Sequence, residues 1–457
     1  MGLFFYPRGG SAQVVRYLSS ALAKEGWETD LATGSLGEPG ATTHAGTFFG
    51  RRDLIVADYT DAALRYSRGH DPMAAPVPHH PSFEDRPDMP DRVIASLDDT
   101  AARRQVTAWT GLLARSAWQN DAVLHIHHLT PLQPAAERCF PDTPQVTHLH
   151  GTELKFIAKA VSDPPAGWEQ AAAWVERLRR AAAKSAHIIC VSPHDRSLAV
   201  DLLGVDSAPM TVIPNGVDTD LFDSRELDLR SRLGHWRRWL VEDPQGWDES
   251  ATPGSIRYVE QDLGVFVDGG APSTVLLFVG RFLGFKRLAL LVRAYGRARH
   301  EFGVRAPLVI WGGSPGEWEG EHPYTVARDE GIEGVFFVGW RGHEELPTAL
   351  ACSDVLVAPS VDEPFGLVYL EAMACGLPVI ATTTGGPLSF VNTHSDEPNG
   401  WLVPPDDEGA LAAALAEASG NPQEVRSRGH RAYEQIRAAY SWRSLARRFI
   451  SVYEDVI

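Results

Sequence analysis

Two carboxylates eight positions apart frame the stretch Glu363-Pro-Phe-Gly-Leu-Val-Tyr-Leu-Glu371. Carboxylates accept hydrogen bonds from ligand hydroxyls, and a helix start beside them offers unpaired N–H donors. The apolar run Asp354-Val-Leu-Val-Ala-Pro359 ahead of it reads as a buried strand leaving the core. Pro364 is tolerated in a first helical turn, where its missing N–H costs nothing. From Gly366 the pattern is helical to Ala374, and Cys375-Gly376-Leu377-Pro378 is a stop signal. At about 100° per residue this spacing predicts Glu363 and Glu371 on roughly one face. The N–H groups of Phe365, Gly366 and Leu367 would then lie at the positive end of the helix dipole, a place suited to phosphate. The plain alternative is an ordinary strand-to-helix turn whose acid offsets the dipole.

Two cations are spaced to join these groups. Thr274-Val-Leu-Leu-Phe-Val279 reads as a strand, Gly280 turns the chain, and Arg281 and Lys286 precede a helix with Leu288, Leu291, Val292 and Tyr295 on one face. Fixed cations stabilise negative charge that grows on a phosphate leaving group. Arg-x4-Lys alone is common. Beside the two glutamates it points to a phosphate-bearing ligand.

Histidines mark a second region. Val123-Leu-His125-Ile-His127-His128 and Val146-Thr-His148-Leu-His150-Gly151-Thr152-Glu153 are successive strand ends. Parallel α/β sheets bind ligands at the carboxyl ends of their strands. Alternation puts His125 with His127, and His148 with His150, on one strand face each. His125 and His148 are read as core histidines. A metal cluster is the sharper alternative and is set aside, because no Cys or Asp lies close and Glu153 is the only nearby carboxylate. His79-His80 is set aside as a metal pair because adjacent residues rarely share a ligand sphere.

The elements that must position these groups alternate strand, glycine loop and helix. Leu3-Phe4-Phe5-Tyr6 reads as a first strand. Pro7-Arg8-Gly9-Gly10-Ser11 is a loop, and a helix follows through Val14, Val15, Leu18, Ala21 and Leu22. Asp71 to Pro90 reads as a proline-rich irregular excursion, a lid or acceptor-side loop. Helices are expected at Trp109 to Trp118 and Glu169 to Ala183, and a buried strand at Ile188 to Ser192. Leu308-Val-Ile-Trp-Gly312-Gly313, Val335-Phe-Phe-Val-Gly339, Val379-Ile-Ala-Thr382 and Gly400-Trp401-Leu402-Val403 continue the alternation. At 457 residues the chain is too long for one core, so two domains are expected. The boundaries fall at 1–215, at 216–440 with an atypical segment over 223–271, and at 441–457 for a last helix.

Bulk properties exclude several classes. A net charge of −17 opposes a nucleic-acid binder, which needs a basic face. Four scattered cysteines suit buried thiols in a reducing compartment rather than a disulfide framework or zinc site. No apolar run is long enough to span a bilayer, and the N-terminus lacks the pattern of a signal peptide. A cytoplasmic protein is expected. No Ser-His-Asp elbow, Walker A loop or G-x-G-x-x-G fingerprint is present.

E-x7-E with Phe-Gly after the first Glu, Arg281 with Lys286, His150-Gly151-Thr152 and Pro214-Asn215-Gly216-Val217-Asp218 resemble the pattern of retaining glycosyltransferases of family 4. The resemblance runs from Gly9 to Trp442. It implies a GT-B fold, with two Rossmann-like doubly wound α/β domains facing a central cleft, and a last segment that crosses back to the first domain. It implies transfer of a hexosyl group from a nucleotide-diphosphate sugar (UDP favoured, GDP possible) to an acceptor hydroxyl, by front-face displacement. The catalytic set implied is His150, Glu363, Arg281 and Lys286. Gly9, Gly10, Gly280, Gly312, Trp340, Arg341, Phe365, Gly366, Leu367 and Glu371 would contact donor or nucleotide. His128, Thr152 and Asn215 would lie on the acceptor side. No cofactor and no metal are expected. The acceptor, whether small molecule, glycan or lipid, and the oligomeric state stay open. Within the same fold a sugar phosphorylase or a nucleotide-sugar epimerase is the alternative. A non-catalytic nucleotide-sugar-binding protein is the alternative of another class.

Overall fold

A computed structural model describes residues 1–51, 53–86, 89–116, 122–206, 209–302, 305–393 and 397–457. The chain divides into two compact units, Met1–Asn215 with Trp442–Ile457, and Gly216–Ser441.

Unit 1 is built on seven parallel strands. They are β1 (Gly2–Leu3), β2 (Leu31–Ser35), β3 (Leu54–Asp58), β4 (Leu124–His127), β5 (Gln145–His148), β6 (His187–Cys190) and β7 (Met210–Val212). The order across the sheet is β3-β2-β1-β4-β5-β6-β7. Short apolar strands buried on both faces are what a helix-covered parallel sheet requires. The first strand is shorter than the expected Leu3 to Tyr6. Phe4 and Tyr6 are buried beyond the ladder, where they pack with Trp109 and Tyr59.

The predicted helix at Trp109 to Trp118 is instead Asp99–Leu113, capped by Asp98, whose side chain accepts from the N–H of Ala101. Trp118 lies outside the described residues. The helix expected from Glu169 runs over Ala171–Ala183. The excursion at 71–90 is irregular, with a single 3₁₀ turn at Pro72–Ala74, and Pro87 and Asp88 lie outside the described residues. Its two histidines are not on a loop surface. His79 and His80 are buried against Tyr6 and Tyr59, so aromatic packing holds this part of the segment down.

Unit 2 carries an antiparallel pair, β8 (Val267–Asp268) and β9 (Ala271–Pro272), and a six-stranded parallel sheet. The sheet strands are β10 (Leu276–Gly280), β11 (Leu308–Gly312), β12 (Val335–Gly339), β13 (Val355–Val357), β14 (Val379–Thr382) and β15 (Gly400–Val403). Their order is β12-β11-β10-β13-β14-β15.

The atypical segment 223–271 belongs to the core of this unit and covers the edge strand β12. Trp236, Trp239 and Trp247 are each 1% exposed. Trp247 stacks on Phe282 with ring centroids 5.2 Å apart, and its Nε1 donates to the Gly313 carbonyl at 2.9 Å. The N–H of Phe337 in β12 donates to the Tyr258 hydroxyl at 2.9 Å. Gly246 passes so near that a Cβ on it would lie 2.3 Å from the Phe337 carbonyl oxygen. An open edge would leave backbone groups free to pair with another chain, and this segment blocks it. The tryptophans of this atypical segment are packing residues.

The final helix, Trp442–Val456, buries Leu445, Phe449, Val452 and Tyr453 in unit 1. Ser441, placed in the last segment by the sequence, falls in unit 2. Among the described residues no helix is long and apolar enough to cross a membrane.

Candidate active site

In an open parallel sheet ligands gather beyond the carboxyl ends of the strands where the strand order reverses. In unit 2 the reversal lies between β10 and β13. Gly280 closes β10, opposite Gly312 of β11. Gly312 has φ +112°, and a Cβ there would sit 2.5 Å from the Gly280 carbonyl oxygen, so glycine is required at that strand end. Arg281 follows and is exposed. Lys286 ends the turn Gly284–Lys286, and its Nζ pairs with Oε2 of Glu363.

The loop after β13 carries Glu363, 9% exposed. Neighbouring loops hold its backbone. Val361 N–H donates to the Phe285 carbonyl at 2.8 Å, and Gly386 N–H donates to the Glu363 carbonyl at 2.7 Å. Asp362, at φ +52°, donates its N–H to Thr384 Oγ1 at 3.2 Å. A Cβ on Gly385 would lie 2.4 Å from the Glu363 carbonyl oxygen, so the Gly385-Gly386 loop can approach only because it lacks side chains.

The helix begins later than the sequence predicts. Gly366, at φ +88°, is its N-cap, and the helix runs Leu367–Ala374 with no side chain capping it. Pro364 and Phe365 therefore precede the helix, and the donors at its N-terminus start at Leu367 and Val368 instead of Phe365. The left-handed Gly366 causes the shift, since a non-glycine residue would resist that conformation. Glu363 thus lies outside the helix, and the one-face arithmetic for Glu363 and Glu371 does not apply. The two carboxylates take different partners: Glu363 meets Lys286, and Glu371, 7% exposed, meets Nε2 of His343 at 3.0 Å.

Trp340 is 52% exposed, whereas Arg341 is buried. The Arg341 guanidinium pairs with Asp243 at 2.7 Å and donates to the Trp239 carbonyl at 3.2 Å. That hydrogen-bonded pairing holds the Asp243 carboxyl below its ordinary range. The side chain of Arg341 is thus committed to anchoring segment 223–271, leaving Trp340 and the backbone as the exposed parts of this turn.

In unit 1 the order reverses between β1 and β4. Gly9 and Gly10 open the helix Gly9–Lys24 after β1 and are exposed. Beyond β4, His128 takes φ +64°, and its Nδ1 lies 3.1 Å from Oε2 of Glu153. The other oxygen of Glu153 accepts from the His150 N–H at 3.1 Å. Glu153 is fully buried and so ties the ends of β4 and β5 together. His150 packs on His128 and His148 with ring centroids 4.5 Å apart in each case. Its Nε2 lies 3.0 Å from Nδ1 of His127. Burial, then the nearby imidazoles His148, His128 and His125, push the His150 pKa well below its ordinary value. The ring is therefore neutral near pH 7. Gly151, at φ +85°, starts the helix Thr152–Ser162, and Asn215 is buried at the end of unit 1.

Within unit 2 the structure brings together Gly280, Gly312, Lys286, Glu363 and Gly366; within unit 1 it brings together His128, His150 and Thr152. His343 was missed, as was the contact of His127 with His150. His343 sits 28 residues from the glutamate it contacts, a separation that gives no local signal.

Similarity to known proteins follows this architecture. Residues 8–221 match the model of Glycosyltransferase Family 4, and residues 273–421 match Glycosyl transferases group 1. A D-inositol 3-phosphate glycosyltransferase of Saccharomonospora viridis is 35% identical over 217 residues, 46% of this chain and 48% of its own length. A second one, from Stackebrandtia nassauensis, is 30% identical over 68% of this chain and 64% of its own length, so the match spans half to two thirds of these relatives. An alpha-maltose-1-phosphate synthase of Mycolicibacterium smegmatis is 32% identical over 64% of this chain and 68% of its own length. Among solved structures, sucrose-phosphate synthase from Thermosynechococcus elongatus superposes with a TM-score of 0.65 at 20% identity, covering 100% of this chain and 98% of that one. Anabaena HepE in complex with UDP and glucose gives 0.64 at 17% identity, with 99% of each chain covered.

Two parallel-sheet α/β units with these structural neighbours define a GT-B fold. The chain belongs to the family 4 type of glycosyltransferases.

Proposed function

We propose that this chain is a retaining hexosyltransferase that takes its sugar from a nucleotide-diphosphate donor, with UDP-sugars favoured, and passes it to an acceptor hydroxyl. The carrying observation is the Lys286–Glu363 pair at the strand-order reversal of unit 2, beside the uncapped start of the helix Leu367–Ala374. That helix end and the cations Arg281 and Lys286 suit a diphosphate, and fixed positive charge there offsets the charge of the leaving group. Glu363 is assigned to the donor-sugar hydroxyls, Glu371 to the ribose and His150 to the transferring sugar. The departing phosphate oxygen takes the acceptor's proton, so neither glutamate acts as a covalent nucleophile. With this charge in place the transfer needs no divalent ion. Four free cysteines suit a cytoplasmic protein.

The names of two relatives, one a glycosyltransferase of an inositol phosphate and one a synthase of a maltose phosphate, support a phosphorylated acceptor. A small polyol or sugar bearing a phosphate monoester is the acceptor we assign. The test incubates the protein with UDP-, GDP- and ADP-glucose, each with inositol 3-phosphate or glucose 1-phosphate, with and without EDTA. The expected result is nucleoside diphosphate release, insensitive to EDTA, and a product whose anomeric proton coupling matches that of the donor. Release with the opposite anomer overturns retention. Turnover only with free phosphate and no nucleotide makes the chain a phosphorylase.

A further inference from the structure

The strands of unit 1 assemble a second histidine arrangement that glycosyl transfer does not use. His125 and His127 alternate along β4 and so share a face, and β5 sets His148 directly opposite His127 in the ladder. The three rings crowd together, with centroids 4.5, 5.1 and 5.4 Å apart. One ring nitrogen from each residue lies within 4.8 Å of the other two. All three side chains are at most 2% exposed.

Their hydrogen bonds are incomplete in a particular way. Nδ1 of His125 meets the Tyr453 hydroxyl at 2.6 Å, and Nδ1 of His127 meets Nε2 of His150 at 3.0 Å. Nε2 of both rings, and both nitrogens of His148, have no hydrogen-bond partner. A buried polar group left unpaired costs about 1–3 kcal/mol, and four such atoms sit in one cluster. Metal-ligating histidines characteristically use one ring nitrogen while the other is held by an outer partner, which fixes tautomer and orientation. Tyr453 and His150 stand in those outer positions. Phe449 packs over His125 and His148, with centroids 5.8 and 5.5 Å away, and closes the cluster to water.

We propose that His125, His127 and His148 form a three-imidazole site for a late first-row transition-metal ion, Zn²⁺ or Cu⁺, that fastens β4 to β5 under the helix Trp442–Val456. An all-imidazole donor set favours such ions over Mg²⁺ or Ca²⁺, which take oxygen ligands. Zinc–nitrogen bonds of about 2.0–2.1 Å would require the three nitrogens to close in on binding. The ion would have a structural role, separate from the groups assigned to the donor diphosphate. With Nε2 of His127 on the metal, its Nδ1 proton donates to Nε2 of His150, so His150 carries its own proton on Nδ1.

The test uses the full chain without a polyhistidine tag, expressed in medium supplied with Zn²⁺ or, separately, copper, then passed over chelating resin. Metal is counted by plasma mass spectrometry. The expected result is about one retained equivalent of one of the two ions, lost in His148→Gln. Retention by neither ion overturns the proposal, as does equal retention by His148→Gln. Should that variant fail to fold, Co²⁺ uptake by the wild type decides. An intense ligand-field absorption, the signature of a low-coordinate nitrogen site, supports the site, and its absence overturns it.

Discussion

Nε2 of His343 stands 3.0 Å from Oε1 of Glu371, so a histidine on the turn after β12 orients a carboxylate on the helix after β13. In the proposed function Glu371 holds the donor ribose. Its partner should therefore govern donor binding more than the chemical step. His343→Ala is expected to raise the donor KM by about 10–100-fold, the worth of one hydrogen bond to a charged group, with kcat nearly unchanged. An unaltered KM in steady-state kinetics would remove His343 from the donor site.

Glu363 has a different partner and a different expected signature. Glu363→Gln keeps the side-chain volume but dissolves the ion pair with Lys286. Transfer is expected to fall by about 100-fold or more, in the range seen when a preorganised electrostatic contact is removed. The far-UV spectrum should be unchanged. Wild-type turnover from a folded variant would refute the assignment.

Gly312 offers a test of the backbone beneath the site. Its φ of +112° and its proximity to the Gly280 carbonyl leave no room for a Cβ. Gly312→Ala is expected to destabilise unit 2 by about 2 kcal/mol or more. Gly264→Ala, with nothing within 4 Å of the added atom, should stay within about 0.5 kcal/mol. Urea titration of the two variants side by side gives the comparison.

Acid should unfold unit 1 first. Burial depresses the pKa of His79, His80, His125, His127 and His150, and pushes His148 down from 6.5 to about 3. Above pH 6.5 these groups are neutral in both folded and unfolded chains and stability is at its full value. As pH falls below 6.5 the unfolded chain takes up protons that the folded chain refuses. Stability then drops by about 1.4 kcal/mol per pH unit for each such histidine. Thermal melts from pH 8 to pH 4 should show a steep loss below about 6.5. A flat profile across that range would mean the histidines are not buried as described.

The tryptophans of 223–271 should be structural. Trp247→Ala removes a buried ring stacked on Phe282 and a hydrogen bond to Gly313. A loss of about 3–5 kcal/mol is expected. Hydrogen exchange should quicken in β11 and β12 while unit 1 stays protected, and exchange that rises only in unit 1 would contradict the packing.

Much of this arrangement is legible in the residues themselves. Buried parallel strands announce themselves as short apolar runs, and the glycines that close β10 and β11 follow them at the expected places. Lys286 and Glu363 could be placed near one site in advance because each sits just beyond a strand end, whereas their direct ion pair is seen only in the fold. What local pattern could not give was set by distant contacts. Gly366 reads as the start of a helical run, yet its left-handed conformation, with Gly385 and Gly386 packed on the loop before it, delays the helix to Leu367. Trp236, Trp239 and Trp247 stand out in the sequence, but nothing near them specifies that β12 is the edge they cover. The three-histidine cluster has the same origin: alternation predicts which faces share histidines, and only the ladder between β4 and β5 sets His148 against His127.

The closing helix also bears on how the protein is made. Trp442–Val456 supplies Phe449 and Tyr453 to the histidine face of a sheet whose last strand ends at Val212. On the ribosome that sheet must wait while all of unit 2 is translated, about 10–50 s at ordinary elongation rates. Through that interval the nascent first unit carries an uncovered aromatic and imidazole surface. A chain released before Trp442 would keep it, giving chaperones and proteases a mark by which to tell an unfinished product from a finished one.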